Sequence, residues 1–143
     1  MATYQSSAVS TDGSKTNIPA GGGAHVSKVV IDFSSTNLGT SESIDVLEVP
    51  ADTAVIGAWL EVLTAGAGDL DLGDDTDPNR YVAAYDGSSA GVAPAAGTAG
   101  GFLYNANDHI VVTNGSTDAF TGKIKVSVVM TPIGGDPTAS TFA

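Results

Sequence analysis

The plainest pattern in the chain lies near its C-terminal end. From Gly122 to Thr131, Ile124, Val126, Val128 and Met130 alternate with Lys123, Lys125 and Ser127. A period of two belongs to a strand with one buried and one wet face, so this segment is predicted as a strand. His25 to Phe33 repeats the pattern, with Val29, Ile31 and Phe33 on one face and Val26, Lys28, Val30 and Asp32 on the other. Apolar side chains on both sides predict a strand partly covered on each face. Ser43–Val49 and Thr53–Thr64 read as a pair of strands joined by a short hairpin-like loop at Pro50-Ala51-Asp52, because proline cannot donate a ladder hydrogen bond and marks a strand end. In 53–64 nearly every side chain except Glu61 is apolar or small, as in a central strand covered on both faces or one contributing to a subunit interface. Trp59 belongs to that strand.

Leu70 and Leu72 alternate with Asp69 and Asp71, which predicts a short strand with outward carboxylates before a turn from Gly73 to Asn79. Further short runs follow at Arg80 to Ala84, Phe102 to Tyr104 and His109 to Thr113, with Asn114-Gly115 as a turn signal. Ser88 to Gly101 is rich in Ala and Gly and has no period. About eight strands without a long helical period make an all-β protein, with a β-sandwich or jelly-roll-like body over 24–131. Residues 1–23 are mostly Ser, Thr, Ala and Gly and end on Gly21-Gly22-Gly23; they read as a flexible N-terminal arm, and 132–143 as a C-terminal tail of the same character.

Composition narrows the class. A length of 143 residues fits one domain, and 42 % apolar with 15 % charged residues is too apolar for a wholly disordered chain. The absence of cysteine excludes a disulfide framework, a thiolate metal site and a cysteine nucleophile. Five Lys and Arg against 16 Asp and Glu give a net charge of −11. From Val29 to Asn79 there is no basic residue while eleven carboxylates fall there, from Asp32 to Asp77; the other five acids offset the five bases. Such a surface opposes nucleic acid and anionic lipid, which require clustered Lys and Arg. No basic residue precedes Lys15, no apolar stretch of signal-peptide length is present, and nothing approaches the ~20 apolar residues of a membrane span.

The densest chemistry is Asp69-Leu70-Asp71-Leu72-Gly73-Asp74-Asp75-Thr76-Asp77, five carboxylates in nine residues. Calcium needs several oxygen ligands, and carboxylates alternating into a Gly-bearing turn are candidates to supply them. An EF-hand is excluded, since the twelfth residue from Asp69 is Arg80 rather than Glu. In the competing reading Asp69 and Asp71 face solvent while Asp74, Asp75 and Asp77 make turn bonds, and no metal is held. A glycosidase pair needs one carboxyl in an apolar pocket, which a polar turn does not offer. His25 and His109 lack HExxH spacing, serine lacks a GxSxG elbow, and the triple glycine lacks the phosphate-loop Lys. No catalytic residue and no cofactor are therefore assigned.

The run from Val46 to Thr64, VLEVPADTAVIGAWLEVLT, followed by Leu70 to Val82, LDLGDDTDPNRYV, and by Thr121 to Pro132, TGKIKVSVVMTP, resembles small structural proteins of tailed bacteriophages. The likeness spans Ser43 to Pro132. It implies a head decoration or cement protein on the outer surface of the virion, a homotrimer bound across subunits of the major capsid protein. The Ala/Gly loop from Ser88 to Gly101 and Asn79 depart from the family pattern. Isolated apolar side chains in polar arms gain little unless buried on a partner, which makes Tyr4, Ile18, Pro19 and Phe142 the candidate capsid contacts. Two alternatives are a calcium-dependent carbohydrate-binding or adhesion sandwich using the Asp69–Asp77 turn, and a tail or head-fibre component of the same virion.

Overall fold

The computed structural model describes residues 24–94 and 101–133. Nine strands form two antiparallel sheets: β1 (His25–Asp32), β2 (Ser43–Val49), β3 (Thr53–Thr64), β4 (Asp69–Asp74), β5 (Val82–Asp86), β6 (Gly91–Val92), β7 (Phe102–Tyr104), β8 (Asp108–Asn114) and β9 (Lys123–Pro132). One sheet runs β1-β9-β3-β6, with β7 also paired to β3, and the other runs β2-β8-β4-β5. The all-β sandwich expected from the periodicity is the fold observed. Among the described residues no helix is long and apolar enough to cross a membrane.

Alternation places the core between the sheets. Ile124, Val126, Val128 and Met130 of β9 point inward and are buried, as their spacing predicts. They meet Val55, Leu60 and Val62 from β3, Leu70 and Leu72 from β4, and Ile110 and Val112 from β8, all in one cluster. Phe120, fully buried in the connection before β9, stacks edge-on against Phe33 at 5.6 Å between ring centroids.

Three expectations are corrected. First, β2 and β3 are not a hairpin: β2 pairs with β8, from Ser43↔Thr113 to Val49↔Asp108, whereas β3 pairs with β9. The Pro50-Ala51-Asp52 segment is an arch from one sheet to the other. Both flanks of β3 are already taken, by β9 on one side and by β6 and β7 on the other, so β2 finds no free edge there. Asp52 turns the chain in the left-handed region at φ 58°, which Asp tolerates better than most residues. The Ala51 amide donates to Asn107 Oδ1 at 2.8 Å, tying the arch to the connection before β8. Second, β1 is not covered on both faces, since Val26 and Val30 are open to solvent. Third, the aperiodic segment after Ser88 contains β6, two residues against Val62 and Glu61 of β3, locked by the Ala93 amide on Leu60 O at 2.9 Å.

β9 continues to Pro132, one residue past the expected end of the body at 131, and the Ile133 amide then bonds Asp52 O at 2.9 Å.

Candidate functional site

Residues on opposite sides of an antiparallel pair share a face, so the register shows what the outer surface of the five-stranded sheet carries. Val26 sits opposite Val129, which sits opposite Gly57. Lys28, Ser127 and Trp59 form the next row, then Val30, Lys125, Glu61 and Val92. Thr131, Ala54 and Leu103 make a fourth. Ile56 and Leu63, at the two irregularities of β3, are exposed beside them. Val26, Val30, Ile56, Trp59, Leu63, Val92 and Leu103 keep between 40 % and 61 % of their surface accessible. Seven large apolar side chains exposed on one sheet face, interrupted by the Lys125–Glu61 pair, are a candidate interaction surface, whereas single exposed apolar residues are not. Trp59 lies over Gly57: a Cβ on that glycine would come within 2.6 Å of Trp59 Cη2.

The charges on this face are nearly balanced. Lys125 Nζ is 2.7 Å from Glu61 Oε2, and Lys123 Nζ is 4.0 Å from Asp32 Oδ2. Lys28 makes no ion pair among the described residues. The opposite sheet is of another kind. Its outer surface carries Asp45 and Glu48 from β2, Asp69 and Asp71 from β4, Asp75 from the turn after β4, and Asp86 from β5, with no Lys or Arg between them.

The five aspartates proposed as calcium ligands are dispersed by this sheet. Asp69 and Asp71 point outward, and Asp71 Oδ1 accepts the Ala84 amide at 2.7 Å. Asp74 points the other way and is buried, accepting from Arg80 Nε at 2.5 Å, Tyr104 OH at 2.8 Å, and the amides of Thr76 and Asp77 at 3.0 and 2.7 Å. Burial opposes its ionisation, but the bonds from Arg80, the Asp77 amide and Tyr104 prevail and hold its carboxyl below the ordinary value. Tyr104 OH also bonds Tyr81 OH at 2.6 Å, and burial pushes the Tyr81 phenol up to about 12. The Arg80 guanidinium lies 3.6 Å from the centre of the Phe102 ring. Asp77 reaches Arg80 at 3.9 Å, while Asp75 faces His109. The turn closes onto β4 so tightly that a Cβ on Gly73 would lie 2.1 Å from Asp77 O.

His109, which lacks HExxH spacing in the sequence, has carboxylate neighbours in the fold. Its Nδ1 is 3.0 Å from Asp75 Oδ2 and its Nε2 is 3.9 Å from Glu48 Oε1. The Asp75 hydrogen bond, helped by the charges of Asp45, Asp75 and Glu48 and opposed by desolvation, raises its pKa. Among the described residues Asp45, Asp75 and His109 are the one group of three potential ligand side chains whose ligand atoms lie within 4.8 Å of one another. The five carboxylates of the Asp-rich run make no such group among themselves, and of them Asp75 enters this one. Sequence spacing hides the cluster because its members come from β2, β8 and the turn after β4. His25 lines a separate groove of about 310 Å³ at the β2–β3 arch, with Leu47, Pro50, Met130 and Pro132. The predicted contacts Tyr4, Ile18, Pro19 and Phe142 lie outside the described residues.

No family model matches the chain, and no curated protein matches it. Solved structures do. A chain of the cyanophage Pam1 capsid asymmetric unit superposes with a TM-score of 0.61 at 21 % identity, covering 87 % of this chain and 97 % of that one. A chain of the Ralstonia phage GP4 capsid gives 0.60 at 19 %, covering 87 % and 93 %. A chain of the acid-stable capsid of Helicobacter pylori bacteriophage KHP30 gives 0.56 at 14 %, covering 75 % and 86 %. The two-sheet fold is shared with these chains. Coverage is high in both directions, so each matched chain is close to this one in size.

Proposed function

We propose that this chain is an accessory structural subunit of a tailed-bacteriophage head: a decoration or cement protein, non-enzymatic, bound on the outer surface across neighbouring major capsid protein subunits. The observation that carries the proposal is the similarity in fold and size to chains of three phage capsids, described above. The resemblance of the Val46–Val82 and Thr121–Pro132 segments to phage structural proteins points the same way from sequence. The strand order β1-β9-β3-β6/β7 over β2-β8-β4-β5 fits a jelly roll, a double-sheet architecture used in viral capsids. Both interaction and solubility are supplied by the surface, one sheet apolar and the other acidic.

Cementing is cumulative in physical terms. Each copy contributes a small contact, and copies joined in a homotrimer multiply weak contacts through effective concentration. In this reading the terminal segments provide capsid contacts at Tyr4, Ile18, Pro19 and Phe142. Deleting residues 1–20 is expected to preserve the far-ultraviolet spectrum and melting temperature of the body while abolishing co-sedimentation with capsids that lack the protein. Undiminished co-sedimentation of the truncated chain refutes the role of that segment, and failure of the full chain to bind such capsids refutes the function itself.

A further inference from the structure

Every copy of this chain carries a net charge of −11, so association between copies has to overcome repulsion. The two sheets differ sharply in how much repulsion a contact would meet. On the outer face of the β1-β9-β3-β6 sheet, Lys28, Lys123 and Lys125 stand against Asp32 and Glu61, a local balance of 3 − 2 = +1. The outer face of the β2-β8-β4-β5 sheet opposes a like surface with Asp45, Glu48, Asp69, Asp71, Asp75 and Asp86 against His109 and no Lys or Arg. The apolar patch of Val26, Val30, Ile56, Trp59, Val92 and Leu103 is thus on the face where like copies repel least.

We propose that this face is the contact between copies of the chain, with a second copy as its occupant. The inference deepens the capsid reading, on which it rests in treating the face as an assembly surface. Contact here buries apolar area against apolar area and leaves the acidic sheets turned apart. Charge complementarity supports it: Lys28 lacks an ion-pair partner among the described residues of its own chain, and Asp32, exposed and 4.0 Å from Lys123, is available to Lys28 of a neighbour. In a cyclic trimer such a contact is heterologous, one part of this face on each copy meeting another part of the same face on the next.

The chain has a single tryptophan, and it lies on this face, so one probe reports the contact. The measurement is the mass of the purified full chain by light scattering, with quenching of Trp59 emission by acrylamide. A mass of at least twice the 14.2 kDa of one chain, with Trp59 shielded, is the expected result. Val26→Glu combined with Ile56→Glu, both at exposed positions, is expected to return the mass to one chain and open Trp59 to quencher, with an unchanged far-ultraviolet spectrum. Glu48→Gln on the acidic sheet is expected to change neither. Two results overturn the inference: a wild-type monomer with accessible Trp59, or an oligomer whose mass and quenching the double variant leaves intact. Should the double variant not fold, Trp59 quenching in the wild-type oligomer alone decides, because a contact elsewhere leaves it accessible. Adding capsids separates the two proposals. Shielding that appears only on capsids sinks the self-contact and keeps the capsid function; a shielded oligomer that ignores capsids does the reverse.

Discussion

Replacing Asp74 by alanine tests whether the sandwich is held at one end by a buried ionic clasp. The carboxylate accepts four hydrogen bonds, from Arg80, Tyr104 and the amides of Thr76 and Asp77. Its side chain is fully buried and that of Arg80 is 14 % exposed. Alanine takes from the guanidinium its close carboxylate, leaving it Asp77 at 3.9 Å and the Phe102 ring, and strips the turn of its acceptor; breaking a buried pair from one side costs about 3–5 kcal/mol. At about 4 °C per kcal/mol for a body of this size, the melting temperature is expected to fall by about 12–20 °C. Urea unfolding followed by circular dichroism reads the free energy directly. Removing both partners, in Asp74→Ala with Arg80→Met, is expected to cost less than the sum of the single changes, since no charge is then stranded. The carboxyl is held below its ordinary value, so its contribution is present above the unfolded pKa and is lost as pH falls through the folded one. The stability gap between wild type and Asp74→Asn should therefore close in acid. A loss below about 1 kcal/mol for Asp74→Ala, the range of an exposed ion pair, refutes the clasp.

Three further outcomes are expected. His109→Gln should lower the melting temperature at pH 5.5 and change it little at pH 9. The raised pKa of His109 makes its stabilisation complete below the unfolded value and lost as pH rises through the folded one, and an equal effect at both pH values contradicts the Asp75 pairing. Gly73→Ala drives a Cβ against the backbone at Asp77 and Pro78, with an expected loss of about 1–3 kcal/mol in chemical unfolding; wild-type stability would show that the turn yields. Millimolar calcium should leave the melting curve in place, because the aspartates of the 69–77 run face different ways; a rise of several degrees would reveal a cation site and favour the adhesion reading.

What could be read from the chain depended on whether a signal was local. The alternation in β9 and the boundaries of β2 and β3 are local, and they appear in the structure as expected. Strand partnership is not local: the short Pro50–Asp52 link suggests a hairpin, yet β3 has its flanks filled from 102–104 and 123–132, far along the chain. The two-residue β6 has no period to detect and exists because Leu60 offers Ala93 a carbonyl. The continuous apolar character of β3 did carry the subunit-interface alternative, since side chains of both parities are apolar. Only the register showed which parity remains outside. Asp74 and Asp75 are adjacent in sequence and alike in composition, but strand alternation sends one to Arg80 and the turn sends the other to His109.

Salt distinguishes the forces at work on the two faces. If copies meet through Ile56, Trp59 and their neighbours, the larger attraction is burial of apolar surface, which added salt does not weaken, the Lys28–Asp32 pairs are a small screened addition, and the opposing term is repulsion between chains of charge −11. Raising ionic strength from about 0.01 to 0.15 M shortens the Debye length from about 30 to 8 Å and removes most of that repulsion. The oligomer should then persist to lower protein concentration. A contact made instead by lysines against carboxylates of the acidic sheet would be weakened by the same change, because the screened term would be its attraction. Dilution series by light scattering at the two ionic strengths separate these cases by sign alone. Dissociation promoted by salt would place the contact on the acidic sheet and leave the apolar face to another partner.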